Sequence, residues 1–143
     1  MVKVLFVCYG NSCRSQMAEA LANQLGEGKV QAFSAGTHPL GTISRATQEV
    51  LREKGIGLEG HWSKGLPDVS LPAMDVVVNM GSDVKCPLPA DFGGRLIKWD
   101  IPDPYFYGRD GFREVRDVIE GEVRSLLAGL NMETGKQKTE TRK

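Results

Sequence analysis

Two periods of apolar residues run along this chain. Val4 to Val7 is a continuous apolar run ending at Cys8, the pattern of a strand buried on both faces. After a short loop, Tyr9-Gly10-Asn11-Ser12-Cys13, the period changes. Met17, Leu21 and Leu25 recur at helical spacing with Ala18 and Ala22 beside them, and this helix opens at Arg14 and Ser15. Gly26 and Gly28 mark its end. Val30 to Ala35 predicts a second strand, closed by Gly36 and a turn-rich loop through Gly41. Ser44 to Lys54 predicts a helix capped by Thr42 or Ser44, with Ala46, Val50 and Leu51 inward. Ile56 to Pro72 is mixed, with room for a short helix after Ser63. Met74 to Asn79 is a β-branched run, hence a third buried strand, and Arg95 to Trp99 a short fourth. Phe112, Val115, Ile119, Val123, Leu126 and Leu130 line one face of the longest helix, Phe112 to Leu130. Asn131 to Lys143 is polar and without core residues, so a disordered tail is expected there.

Strands alternating with helices predict an α/β fold: one domain over residues 1–130, a four-stranded parallel sheet with helices on both faces. Ligands of such sheets bind beyond the carboxyl ends of the strands, where Cys8, Gly36, Met80 and Ile101 stand. The 143 residues carry 18 basic and 18 acidic side chains, a balance that gives no basic surface for nucleic acid or anionic membrane. No apolar run has the length of a membrane span, and three cysteines, an odd number, do not make a secreted disulfide framework. A reducing cytoplasm is the expected location. His38, His61 and the pair Cys8 and Cys13 lack zinc-ligand spacing, so no metal is expected. Gly36 and Gly41 imitate a nucleotide-binding loop, but Thr42-Ile43 follows where Lys-Ser or Lys-Thr is required.

The first strand, loop and helix carry the chemistry. The leading N–H groups of a helix lack intrahelical partners and lie at the positive end of its dipole. A small loop feeding that end arranges backbone donors around a tetrahedral anion, and Gly10 lets the backbone turn or approach closely. Arg14 adds a planar fork of donors for two anion oxygens. Cys8 sits in the same positive field, which favours its thiolate, and a thiolate facing a bound tetrahedral anion points to attack on the central atom. Asp103, between two prolines after the fourth strand, is placed to protonate a leaving oxygen, although Asp-Pro is also a common turn dipeptide.

Cys8-Tyr9-Gly10-Asn11-Ser12-Cys13-Arg14-Ser15 resembles the phosphate-binding loop of the low-molecular-weight protein tyrosine phosphatases and their arsenate reductase relatives. Gln16-Met17-Ala18-Glu19, Trp99 through Pro104 and the Val115-Arg116-Asp117 helix look more like the reductase branch, while Asp103-Pro104-Tyr105 resembles the phosphatases' acid loop. The resemblance implies that Cys8 is the nucleophile, Arg14 the anion clamp and Asp103 the general acid. Asn11 would shape the loop and Ser15 would hydrogen-bond the thiolate. Cys13 would trap an oxidised Cys8 as a disulfide, and Tyr105 and Tyr107 would line the mouth of the site.

Cys86-Pro87 looks like the last cysteine of the three-cysteine relay in thioredoxin-coupled reductases, but Met80-Gly81 stands where the middle cysteine belongs. Either Cys86 or an external thiol, from thioredoxin, glutathione or mycothiol, would then resolve an adduct on Cys8. Some reductases also hold a monovalent cation behind the loop. Asn11, Glu19 and Ser34 match that set, and Lys64 stands at its aspartate position. The first reading is an arsenate reductase-like enzyme needing no cofactor beyond a thiol reductant, possible partners being a redoxin and a small oxyanion. The second is a phosphatase acting on phosphotyrosine, and the third a non-catalytic anion- or phosphopeptide-binding module, which would need neither Cys8 nor Asp103.

Overall fold

The structure, a computed structural model, describes residues 1–105 and 107–136. Its elements run β1 (Val2–Cys8), α1 (Arg14–Leu25), β2 (Val30–Gly36), α2 (Arg45–Arg52), β3 (Val76–Asn79), β4 (Arg95–Lys98) and α3 (Gly108–Lys136), with single 3-10 turns at Leu66–Asp68 and Leu71–Ala73. All pairings are parallel, in the order β2-β1-β3-β4. Val4, Leu5, Phe6 and Val7 of the central β1 are fully buried. Since successive side chains point to opposite faces, both faces of the sheet are covered. The register pairs Cys8 with Gly36 and Val7 with Asn79, which brings the end of β1 level with the ends of its neighbours.

Several boundaries differ from the sequence expectations. β3 starts at Val76 because Met74 closes the second 3-10 turn, its N–H bonding Leu71 O. The short helix expected after Ser63 is only a 3-10 turn with proline in its first positions. α3 begins at Gly108, ahead of its first buried residue, where Arg109 and Arg113 reach acidic partners on α2. It also runs past Leu130 to Lys136. Once nucleated by a packed face, a helix gains a bond per added residue and outlasts its apolar stripe. The expectation for 137–143 lies outside the described residues.

α2 braces the loop after β1. Ser44 caps it by accepting from Thr47 N–H, Ser44 N–H bonds Ser12 O and Oγ, and Thr47 Oγ1 donates to Ser12 O at 3.0 Å. α3 in turn braces α2. Glu53, the C-cap of α2, accepts from Arg113 Nη2 at 2.8 Å and from Arg116 Nη1 at 2.7 Å, and the latter nitrogen also donates to Val50 O. Arg113, then Arg116, hold the Glu53 carboxyl at about 2, against an ordinary 4.5.

A folded-state value below the unfolded one means that this clasp contributes fully above about 4.5 and is lost as pH falls toward about 2. Thermal melts of Glu53→Gln should show a lower Tm at pH 7 and a smaller drop between those two pH values than the natural chain. Coinciding Tm curves for the two proteins would show that the clasp adds nothing to stability.

Candidate active site

β1 ends at Cys8, and the chain turns through Tyr9 to Cys13 before α1 opens at Arg14. Asn11 takes the left-handed conformation (φ 49°) that asparagine tolerates, which folds the loop over Cys8 Sγ. Gly36 makes the close approach possible: a Cβ there would stand 2.7 Å from Tyr9 O and 2.8 Å from Asn11 N. The loop thus rests on the bare backbone at the end of β2, with Thr37 N–H bonding Cys8 O and His38 N–H bonding Tyr9 O. Tyr9 is exposed, its ring stacked on His38 at 4.5 Å. Gly10, Ser12 and Cys13 are buried, and burial raises the Cys13 thiol's pKa.

A hydrogen-bond chain fixes where protons lie. Asn11 Nδ2 donates to Ser15 Oγ (2.7 Å) and to Ser34 Oγ (2.9 Å). Its Oδ1 accepts from Gln16 Nε2 (2.9 Å) and Lys64 N (2.8 Å). Ser15 Oγ lies 2.9 Å from Cys8 Sγ, and its hydroxyl proton is the one able to reach that sulfur as a thiolate, which carries no proton of its own. Asn11 N–H bonds the same sulfur at 3.3 Å. Both contacts converge on the sulfur at the end of β1. Ser34 sends its proton to Glu19, with Lys64 Nζ 3.9 Å from the same carboxylate oxygen and bonded to Trp62 O. That ammonium beside Glu19, in place of a second carboxylate, does not fit the cation site of the resemblance.

Arg14 is 2% exposed. Its guanidinium donates to Met80 O, Ile101 O and both carboxylate oxygens of Asp83. Arg14 holds the Asp83 carboxyl below its usual range. Asp103 Oδ2 lies 4.0 Å from Arg14 Nη2, while Asp103 Oδ1 accepts from Tyr105 N–H. The proline-fixed loop therefore places Asp103 beside Arg14, with Tyr105 and Tyr107 exposed nearby. Cys86 is half-buried on the loop after β3, packed against the core, and burial pushes its thiol pKa up. Ser34, matched in the sequence only to the cation set, proves to be a partner of Asn11, while the brace Ser63 (Oγ donating to Gly10 O) and the acidic Asp83 emerge only with the tertiary structure. Asp83 is four residues ahead of a proline in a polar loop, and no local signal marks it.

The sequence profile of the low molecular weight phosphotyrosine protein phosphatases matches residues 3–138. The chain belongs to that family. It is 34% identical to a low molecular weight protein-tyrosine-phosphatase of Bacillus subtilis, over 93% of this chain and 98% of the relative. It is also 34% identical to a glutaredoxin arsenate reductase of Synechocystis, over 92% of this chain and all of the relative. Among solved structures, an arsenate reductase in a phosphate-binding state matches with TM-score 0.81 at 33% identity, covering 91% of this chain and 99% of that one. The family thus includes both phosphatases and arsenate reductases, and this phosphatase-family chain is an enzyme of the same kind. Among its described residues no helix is long and apolar enough to cross a membrane.

Removing the Ser15 hydroxyl takes away a hydrogen bond to a charged group, about 1.5–3 kcal/mol, which corresponds to roughly ten- to hundredfold in thiolate reactivity. Ser15→Ala should slow alkylation of Cys8 by iodoacetate at pH 7 by that factor, read by mass spectrometry, and Ser15→Thr should recover most of it. Equal rates for Ser15→Ala and the natural chain would show that the hydroxyl does not hold the thiolate.

Proposed function

We propose that this chain is an arsenate reductase-like enzyme in which Cys8 is the nucleophile. The observation that carries the reading is one sulfur held by Ser15 and Asn11 at the mouth of a helix N-terminus, with Arg14 and Asp103 Oδ2 4.0 Å apart at its rim. Arsenate binds as a tetrahedral anion to the loop N–H groups and Arg14. The Cys8 thiolate attacks arsenic. An As–S bond forms, an As–O bond breaks, and the departing oxygen leaves as water after Asp103 protonates it. A second thiolate then attacks Cys8 Sγ. The new S–S bond leaves the As–S electron pair on arsenic, which falls from the +5 to the +3 state and departs as arsenite. The second thiol comes from Cys86 or from an external donor such as thioredoxin, glutathione with glutaredoxin, or mycothiol. The reaction belongs in a reducing compartment, the cytoplasm, where thiols persist.

Phosphotyrosine hydrolysis is the second reading. The proximity of Asp103 to Arg14 and the exposed Tyr105 beside it favour it, as does glycine at position 81. There Cys8 takes the phosphoryl group, Asp103 protonates the leaving phenol oxygen, and water releases phosphate.

A paired assay separates the two. Arsenate reduction is followed with each thiol system, and p-nitrophenyl phosphate hydrolysis in parallel, for the natural chain, Cys8→Ser and Cys86→Ser. Thiol-dependent arsenate turnover is expected, falling in Cys8→Ser by a factor on the order of a thousand or more, as for other lost nucleophiles. A parallel fall in Cys86→Ser would make Cys86 the internal resolving thiol, whereas turnover that ignores it would make the donor external. Brisk Cys8-dependent hydrolysis without arsenate turnover would make the chain a phosphatase.

A further inference from the structure

Arg14 makes four hydrogen bonds, and all leave from Nη1 and Nη2: to Met80 O at 3.0 Å, Ile101 O at 3.1 Å, Asp83 Oδ1 at 3.0 Å and Asp83 Oδ2 at 2.9 Å. A guanidinium presents one pair of parallel donors along its Nη1–Nη2 edge and another along its Nε–Nη2 edge. Asp83 occupies the first edge, fork against fork. The second edge, with Nε–H and the remaining Nη2–H, is the one available to a tetrahedral anion. Asp103 Oδ2, 4.0 Å from Nη2, stands beside the guanidinium without a hydrogen bond to it.

We propose that Asp83 is a positioning residue of this site: it clamps the Nη1–Nη2 edge of Arg14 and so turns the Nε–Nη2 edge toward the bound oxyanion. The proposal rests on the reading of the Cys8 loop as an oxyanion site. Asp83 is itself held, because Val84 N–H closes a turn onto Gly81 O, Asn79 Nδ2 donates to Val84 O at 3.1 Å, and Val84 is buried. The clamp also accounts for Gly81. A Cβ at that position would lie 2.5 Å from both Arg14 Nη1 and Asp83 Oδ1, at a φ of +152° that side chains rarely adopt. The ion pair fills the space that a side chain would need, including that of a middle relay cysteine. A side chain at position 81 would have to displace this ion pair, and with glycine there a resolving thiol comes from elsewhere.

A carboxylate next to the anion-binding arginine could instead compete with the anion. Exposure decides between the two effects. The Asp83 side chain is 47% exposed, so water and salt screen its repulsion of an incoming anion, while its bidentate geometry on the buried Arg14 persists. Orientation therefore outweighs charge competition, and removing the charge should weaken anion binding.

The test uses the full chain as Asp83→Asn, Asp83→Glu and Gly81→Ala, with inorganic phosphate as the probe. The Arg14 Nε–H signal is followed by NMR, and kcat and KM are measured for whichever substrate the paired assay identifies. Asp83→Asn should weaken phosphate binding by roughly fivefold or more and lower kcat by roughly tenfold, the scale of a lost charge-assisted hydrogen bond. Its Arg14 Nε–H signal should broaden without phosphate, and its Tm should stay close to that of the natural chain. Asp83→Glu should recover part of the loss, and Gly81→Ala should reproduce it. Unchanged or tighter phosphate binding with unchanged kcat in Asp83→Asn would overturn the proposal. If phosphate fails to shift Arg14 Nε–H in the natural chain, the oxyanion reading itself falls. The phosphate-free line width still judges the clamp in that case: a sharp signal in Asp83→Asn overturns it and a broadened one supports it.

Discussion

The saturated side chain of Asn11 is the constraint on which the site depends. Its amide spends both donors on serine hydroxyls and its oxygen on two N–H donors, all within the protein. A buried amide with any of these partners missing would carry a desolvation cost, so the four partners and the left-handed backbone at Asn11 come as one arrangement. The four partners sit on three stretches of chain: Ser15 and Gln16 on α1, Ser34 on β2, Lys64 on the segment after α2. One residue thereby ties helix, sheet and loop into a single frame. Its bond to Ser15 Oγ sets that hydroxyl 2.9 Å from Cys8 Sγ.

Outside that frame lie two layers of support. α2 grips Ser12 through Ser44 and Thr47, and α3 grips α2 through the Glu53 clasp. The loop is therefore rigid for reasons that reach to the far side of the domain. Such pre-organisation suits anion chemistry, because donors already in place need no reorganisation when charge develops. The loop of Asp103 is held differently. Two prolines and the Tyr105 N–H fix Asp103, whose free oxygen faces Arg14. Cys8 and Asp103 thus stand on separate supports, and Arg14 bridges their loops through the carbonyls of Met80 and Ile101.

Period and punctuation were enough to read the strand–loop–helix around Cys8, the buried run of β3 and the apolar stripe of α3. These are local signals: a continuous apolar run, a change from strand to helical spacing, and glycines and prolines at the joints. The same signals place Cys8, Arg14 and Asp103 at the carboxyl edge of a parallel sheet, because right-handed crossovers leave few alternatives. The ends of α3 were misjudged for the opposite reason. Its first turn is held by ion pairs to α2 and its last by helix propagation, and neither shows as an apolar period.

By itself, then, the sequence determined the architecture and the strand, loop and helix that present Cys8 and Arg14, since each follows from neighbours within a few positions. The tertiary structure alone decided which partners those groups have. Asp83 meets Arg14 across 69 positions and Lys64 N meets Asn11 across 53, pairings set by strand order and loop packing. The room at Gly81 was likewise decided there. A glycine in a polar loop reads as a turn residue until the guanidinium that fills its missing side-chain volume is in place.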